Sequence, residues 1–238
     1  MLDAAAHAVA PRAPDSEVSG GTSGAQQPRL PIWRAAVFFD WHGVMSSDRF
    51  WWSILNNPSH TFHGRLAALS TRLFRQSELV NAWMRGTVTS RSVVASMPVT
   101  TTRWNTSFLY RRLVEDCGAM PLDRDMGCIA DSARADAFVA LATDNMDCFN
   151  ERAGRRRDLR RLFDEVLCSS SLGVLKAEDP AAFFGPTLES VGLSFSDAVL
   201  VDDDDGNCAA FERAGGRAIR HRSADATREQ LDALLTTT

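Results

Sequence analysis

Lysine is almost missing from this 238-residue chain: of its 26 basic residues, Lys176 is the one lysine and every other is arginine. Wherever a general positive charge sufficed, the chain carries a planar guanidinium. The lone compact ammonium therefore marks a position that needs a point charge. The five cysteines (Cys117, Cys128, Cys148, Cys168, Cys208) contain no Cys-x-x-Cys pair, which gives neither a zinc site nor a disulfide framework. An odd, scattered set fits reduced thiols and a cytoplasmic protein. No apolar run approaches the roughly 18 residues of a membrane span. The first ten residues carry Asp3 and no basic segment, so they do not read as a signal peptide. A Gly-x-x-x-x-Gly-Lys loop is absent, which excludes that route to nucleotide hydrolysis. Six residues after Cys148 stands Gly154, where a cysteine phosphatase loop needs arginine. A net charge of −4 provides no basic footprint for nucleic acid or an anionic membrane.

What is present is a 45% hydrophobic chain, enough for one core with an inserted subdomain. Residues 1–31, rich in Ala, Pro, Gly, Ser and Gln without apolar periodicity, read as a disordered leader. Val37-Phe38-Phe39-Asp40 is a short apolar run ending on a carboxylate, the pattern of a buried parallel strand, and Gly43 permits a tight turn just beyond it. From 48 to 118 the apolar residues recur at helical spacing, broken at Asn57-Pro58, Gly86-Thr87 and Met97-Pro98, which predicts four or five short helices. Strands and helices then alternate, with strands ending at Thr143, near Cys168, at Asp202 and near Ile219. The expected fold class is α/β: a doubly wound, mostly parallel sheet formed by 32–47 and 119–238, with 48–118 as an α-helical insertion. The basic run Arg155-Arg156-Arg157 with Arg160 and Arg161 reads as a solvated helix face.

Ligands bind at the carboxyl ends of strands in such sheets, so Asp40, Thr143, Lys176, Asp202 and Asp203 are expected to converge. Asp40 and Asp203 could hold a hard cation such as Mg²⁺ through oxygen, with Asp202 orienting a bound water. Lys176, Thr143 and the N–H groups after Asp40 would neutralise and hydrogen-bond a phosphoryl group. Asp40 would be the nucleophile. Asn145 is preferred over Asp144 as a further phosphate contact, because Asp144 would repel an anion unless turned away.

Four stretches resemble, in order, the motifs of the haloacid dehalogenase-like (HAD) hydrolases. They are Phe38-Phe39-Asp40-Trp41-His42-Gly43-Val44, Leu141-Ala142-Thr143-Asp144-Asn145, Gly173-Val174-Leu175-Lys176 leading to Asp179-Pro180, and Val201-Asp202-Asp203-Asp204-Asp205-Gly206-Asn207. The resemblance spans about 35–220 and implies a magnesium ion, an aspartyl-phosphate on Asp40 and a mobile helical cap at 48–118. In that family's phosphatases a second Asp follows the nucleophile by two positions. Here the residue is His42, whose backbone carbonyl could still ligate the metal and whose imidazole, with an ordinary pKa of about 6.5, could exchange a proton.

The reading is a Mg²⁺-dependent phosphatase of a small phosphorylated metabolite, using no nucleic acid or membrane partner. Two alternatives stay open: a metal-independent haloacid dehalogenase-type hydrolase, and a non-catalytic phosphate-binding protein on the same fold. Asp48, Arg49, Trp52, Arg72 and Arg103 are candidates for substrate contact by location.

Overall fold

The computed structural model describes residues 33–99, 105–153 and 155–236. The leader expected at 1–31, together with Trp104 and Arg103, lies outside the described residues. Five strands, β1 (Ala35–Phe39), β2 (Ala137–Thr143), β3 (Glu165–Cys168), β4 (Ala198–Asp202) and β5 (Arg217–Arg220), form one parallel sheet in the order β3-β2-β1-β4-β5. Every residue of β1, β2 and β4 is buried, so their uninterrupted apolar text is the signature of strands covered on both faces.

The side-chain alternation of β1 divides two cores. Ala36 and Phe38 point into one layer, where Phe38 meets Phe184 edge-on at 4.9 Å. Phe184 belongs to α10 (Pro180–Ser190), and Phe211 of α11 (Asp205–Arg213) packs beside it. Val37 and Phe39 point into the opposite layer with Ile129 of α6 (Arg124–Ala133), Leu159 of α8 (Arg157–Leu162) and Leu231 of α12 (Ala224–Thr236). The sheet is thus doubly wound, as its sequence pattern predicts.

Between β1 and α6 run α1 (Trp52–Leu55), α2 (His63–Phe74), α3 (Ser77–Met84), α4 (Ser90–Ala95) and α5 (Thr106–Ala119). Thr89 caps α4 by accepting from Ser92 N, as the Thr/Ser run at 87–90 suggests. These helices enclose a third core around Trp51, Leu66, Trp83, Leu109 and Leu113. The tryptophans Trp51 and Trp83 are therefore packing residues. The insert is tied to the sheet by α7 (Asp147–Ala153): Asp147 accepts from Trp83 Nε1 at 3.2 Å and from Ser90 N at 3.0 Å. A further tie is Ser169 Oγ at the start of α9 (Ser169–Leu172), which donates to Met84 O at 2.7 Å.

The basic run departs in part from a solvated face. Arg156 is half-buried, donates to Met120 O at 2.5 Å and lies 5.5 Å over the Trp41 ring. Its stem and guanidinium roof the residue that follows Asp40, a packing role that charge counting does not reveal.

Candidate active site

Strand order reverses its direction of growth at β1, with β2 on one side and β4 on the other, so a crevice opens at the carboxyl ends of β1 and β4. Register then fixes the neighbours. Phe39 pairs Val201 and Leu141, which sets Asp40 beside Asp202 on one flank and Ala142 on the other. Asp40 N donates to Val201 O at 2.9 Å, holding the carboxylate at the sheet edge.

Lys176 enters this crevice from the loop before α10. Its Nζ lies 2.8 Å from Asp40 Oδ1, 2.5 Å from Asp202 Oδ2 and 3.3 Å from Ala142 O. The residue is 1% exposed. Burial alone would push the ammonium down, but Asp40, Asp202 and Asp144 outweigh it and hold Lys176 well above its usual range. Asp144 also accepts from Lys176 N at 3.1 Å. It is therefore a positioning group for the lysine's loop, which is how an acidic residue can stand beside an anion site. Burial raises its own carboxyl above the ordinary value.

Asp202 is fully buried and committed to the protein: besides Lys176, it accepts from Asp204 N at 2.9 Å and from Asn207 Nδ2 at 3.1 Å. Asp203 by contrast is exposed and faces the turn after Asp40. One ammonium thus serves two buried carboxylates, and Asp203 adds a third. Burial pushes the Asp40 carboxyl up to about 7; Lys176 opposes this and the Asp202 charge adds to it. The site carries excess negative charge that a cation would relieve.

The donor set fits a hard divalent ion. Carboxylate oxygens of Asp40, Asp202 and Asp203 lie within 4.8 Å of one another, and oxygen-only donors suit Mg²⁺. Among the described residues nothing donates to the His42 carbonyl, which leaves it free to join them. Gly43 makes the cradle: its φ is +85°, and a Cβ there would stand 2.2 Å from Asp203 Oδ2. Gly43→Ala is therefore expected to displace Asp203 and weaken Mg²⁺ binding at least about tenfold, through both the left-handed backbone and the clash. Titration calorimetry with Mg²⁺ checks this, and unchanged affinity would remove Asp203 from the cation site.

His42 is half-buried at the mouth of this recess. Its Nδ1 is buried with no hydrogen-bond partner among the described residues. Burial, then the nearby Arg49 charge, lowers its pKa below the ordinary value, so the imidazole is neutral near pH 7.

Asp40, His42, Thr143, Lys176, Asp202 and Asp203 surround one recess of about 350 Å³, joined by Asp144, Asp204 and Asn207. Asn145 instead lines an adjoining cavity. Its amide donates to Thr143 Oγ1 at 3.3 Å and accepts from Met146 N at 3.0 Å, so it orients the threonine. Of the location-based candidates, Asp48 and Arg49 line that second cavity. Trp52 turns away, its indole donating to Asp116 O at 3.1 Å, and Arg72 lines a separate hollow with Leu73 and Met97. Neither Asn207 nor Arg75 is assigned a role from sequence. The fourth-motif spacing already carries Asn207, whereas nothing in the text around Arg75 marks it.

No protein-family profile matches the chain, and no curated protein matches it by sequence. Solved structures do match its fold. A HAD-like family hydrolase from Porphyromonas gingivalis aligns at TM-score 0.59 and 16% identity, over 84% of this chain and 98% of that one. A HAD family enzyme from Bacteroides thetaiotaomicron, solved with magnesium and inorganic phosphate, aligns at TM-score 0.56 and 13% identity, over 79% and 94%. A 2-haloacid dehalogenase from Pseudomonas syringae pv. tomato aligns at TM-score 0.58 and 18% identity, over 85% and 98%. The chain has a HAD-like α/β fold.

Proposed function

We propose that this HAD-like chain is a Mg²⁺-dependent phosphatase acting on a phosphate monoester of a small metabolite, through an aspartyl-phosphate on Asp40. The observation that carries the reading is the charge balance of the recess: buried Asp40 and Asp202 share the single ammonium of Lys176, with Asp203 opposite Gly43. A dianionic phosphoryl group cannot approach three carboxylates without added positive charge. Asp40, Asp203 and the His42 carbonyl would hold Mg²⁺, which would supply that charge.

In this reading Asp40 attacks phosphorus, forming a carboxylate O–P bond as the ester O–P bond breaks, and the departing oxygen takes a proton from solvent water to leave as the alcohol. Lys176 and Thr143 hold the phosphoryl oxygens, and the turn at 41–44 offers backbone N–H groups. His42, neutral at the outset, receives the proton of the attacking water in the hydrolytic half-reaction and passes it to solvent. Asp202 holds Lys176 in place. Helices α1–α5 serve as the cap.

A second reading, dehalogenation by the same Asp40 without metal, is favoured by the largely apolar cavity beside the recess. Metal dependence separates the two. Phosphate release from a panel of monoesters is expected to require Mg²⁺ and stop with a chelator. Halide release from 2-haloacids that persists in chelator would establish the dehalogenase instead, and failure of both assays with intact folding would leave the non-catalytic alternative.

Mg²⁺ binding should also depend on pH. Without a cation the raised Asp40 carboxyl is protonated below about 7. Binding at pH 6 must then displace that proton, whereas at pH 8 the carboxylate is already ionised. Affinity should rise about tenfold from pH 6 to pH 8, with proton release at the lower pH. Calorimetry in buffers of different ionisation enthalpy measures both, and a flat profile would refute Asp40 as a ligand. The charged groups facing Asp40 are Lys176, Asp202 and Asp203.

A further inference from the structure

The acidic recess adjoins a second, larger cavity of about 530 Å³, and His42 and Asp144 line both. That volume lies in the range of small-molecule sites, and its chemistry is opposite to the recess. Trp41 and Met120 form a buried floor from the sheet side. Phe50, Phe74 and Met84 form a wall from the helical insert, with the Phe50 and Phe74 rings nearly parallel (6°) and their centroids 6.2 Å apart. Phe74 is 40% exposed, one of two large apolar side chains so exposed among the described residues. An aromatic surface left open beside a catalytic recess is suited to an apolar ligand.

Two guanidiniums stand at the edge of this cavity. Arg49 and Arg75 both line it, and among the described residues neither has an acidic partner. The nearby Asp48 carboxylate accepts from Asn56 Nδ2 at 2.6 Å. Arg75 closes α2, its N–H donating to Thr71 O at 3.3 Å, so its backbone is anchored while its side chain remains exposed. A planar guanidinium recognises a carboxylate by paired hydrogen bonds.

We infer that the substrate is a phosphate monoester of an aryl or similarly flat apolar alcohol bearing a carboxylate. Its phosphoryl group lies at Asp40, its ring on the Phe50/Phe74 surface above the Trp41 floor and its carboxylate at Arg75 and Arg49. This assignment rests on Asp40 being the phosphoryl site, and it makes Arg75 a specificity residue.

Three phosphonates, which the enzyme cannot hydrolyse, test the pocket apart from the chemistry: methylphosphonate, phenylphosphonate and 4-carboxyphenylphosphonate, titrated into the full chain with Mg²⁺. Affinity should rise at each step, with the carboxylate adding about tenfold or more, the scale of one charge-assisted hydrogen bond. Arg75→Gln should bring the carboxyphenyl and phenyl compounds to near-equal affinity, and Arg49→Gln should narrow the same gap. Both positions are exposed, and thermal unfolding confirms that the variants fold. Phenylphosphonate binding no more tightly than methylphosphonate overturns the aromatic surface. A carboxylate preference that survives the Arg49/Arg75 double replacement overturns the anion site. In turnover, 4-carboxyphenyl phosphate should exceed phenyl phosphate in kcat/KM, and preference for small polar monoesters overturns the inference while leaving the phosphatase reading intact. The expected phosphonate ranking without hydrolysis of any monoester supports the pocket and defeats the phosphatase reading.

Discussion

Asp40→Asn is expected to abolish turnover, with kcat falling about 10⁴-fold or more, as losing the nucleophile of the proposed covalent mechanism would. The amide occupies the same volume at the end of β1 and can still accept from Lys176, so folding is preserved. Indeed, burial already drives the Asp40 carboxyl toward its neutral form, with a pKa of about 7. The variant removes a charge that the fold accommodates reluctantly. Steady-state kinetics measures the loss. Intact-mass analysis of quenched wild-type turnover should reveal a phosphorylated chain that the variant lacks. Substantial activity in Asp40→Asn would sink the covalent mechanism on Asp40. Asp202 is committed to Lys176, Asp204 and Asn207.

Lys176→Met has the largest expected effect on stability. The ammonium is almost fully buried between Asp40 and Asp202, and removing one partner of a buried ion pair costs about 3–5 kcal/mol because the remaining charge is left uncompensated. The sign of the pH dependence follows from the acids that remain. With the lysine gone, the folded-state pKa of Asp40 rises further above its unfolded value near 3.8. The folded variant then holds protons that the unfolded chain has released, so its stability is best at low pH and is lost as pH rises through about 7 and beyond. Urea unfolding at pH 5 and pH 8 should therefore find the larger deficit at pH 8. The double variant Lys176→Met with Asp202→Asn should recover part of it, since Asp40 is then the one buried carboxylate of the pair left without the ammonium. If Lys176→Met alone unfolds at the wild-type midpoint at pH 8, the lysine is not the electrostatic centre of the crevice.

Much of this arrangement was legible in the chain's text, for a physical reason. A strand buried on both faces has to be continuously apolar, so Val37-Phe38-Phe39 and Val199-Leu200-Val201 announce themselves, and the first polar residue after each marks a sheet edge. The scarcity of lysine singles out Lys176 with no contact needed. Helical spacing from 48 to 118 predicted the insert, and the five helices lie between Trp52 and Ala119. Less was readable wherever function depends on which side chains meet. Trp52 and Arg72 looked as eligible as Arg49, yet they face Asp116 and a separate hollow, because a helix phase error of one residue turns a side chain by about 100°. Arg156 read as a solvated charge and instead covers Trp41.

The sequence by itself determined the α/β class, the strand ends that bear Asp40, Thr143 and Asp202-Asp203, and the special standing of Lys176. These follow from local rules: apolar runs, turn residues and the cost of placing a charge where nothing demands it. Only the tertiary structure decided how those charges are shared, with one ammonium serving two buried carboxylates while Asp203 faces Gly43. It also decided that Asn145 holds Thr143, and that an arginine-edged aromatic cavity opens beside the recess. Such outcomes depend on strand order, register and helix phase. Those are set by packing between residues more than a hundred positions apart, and no local pattern encodes them.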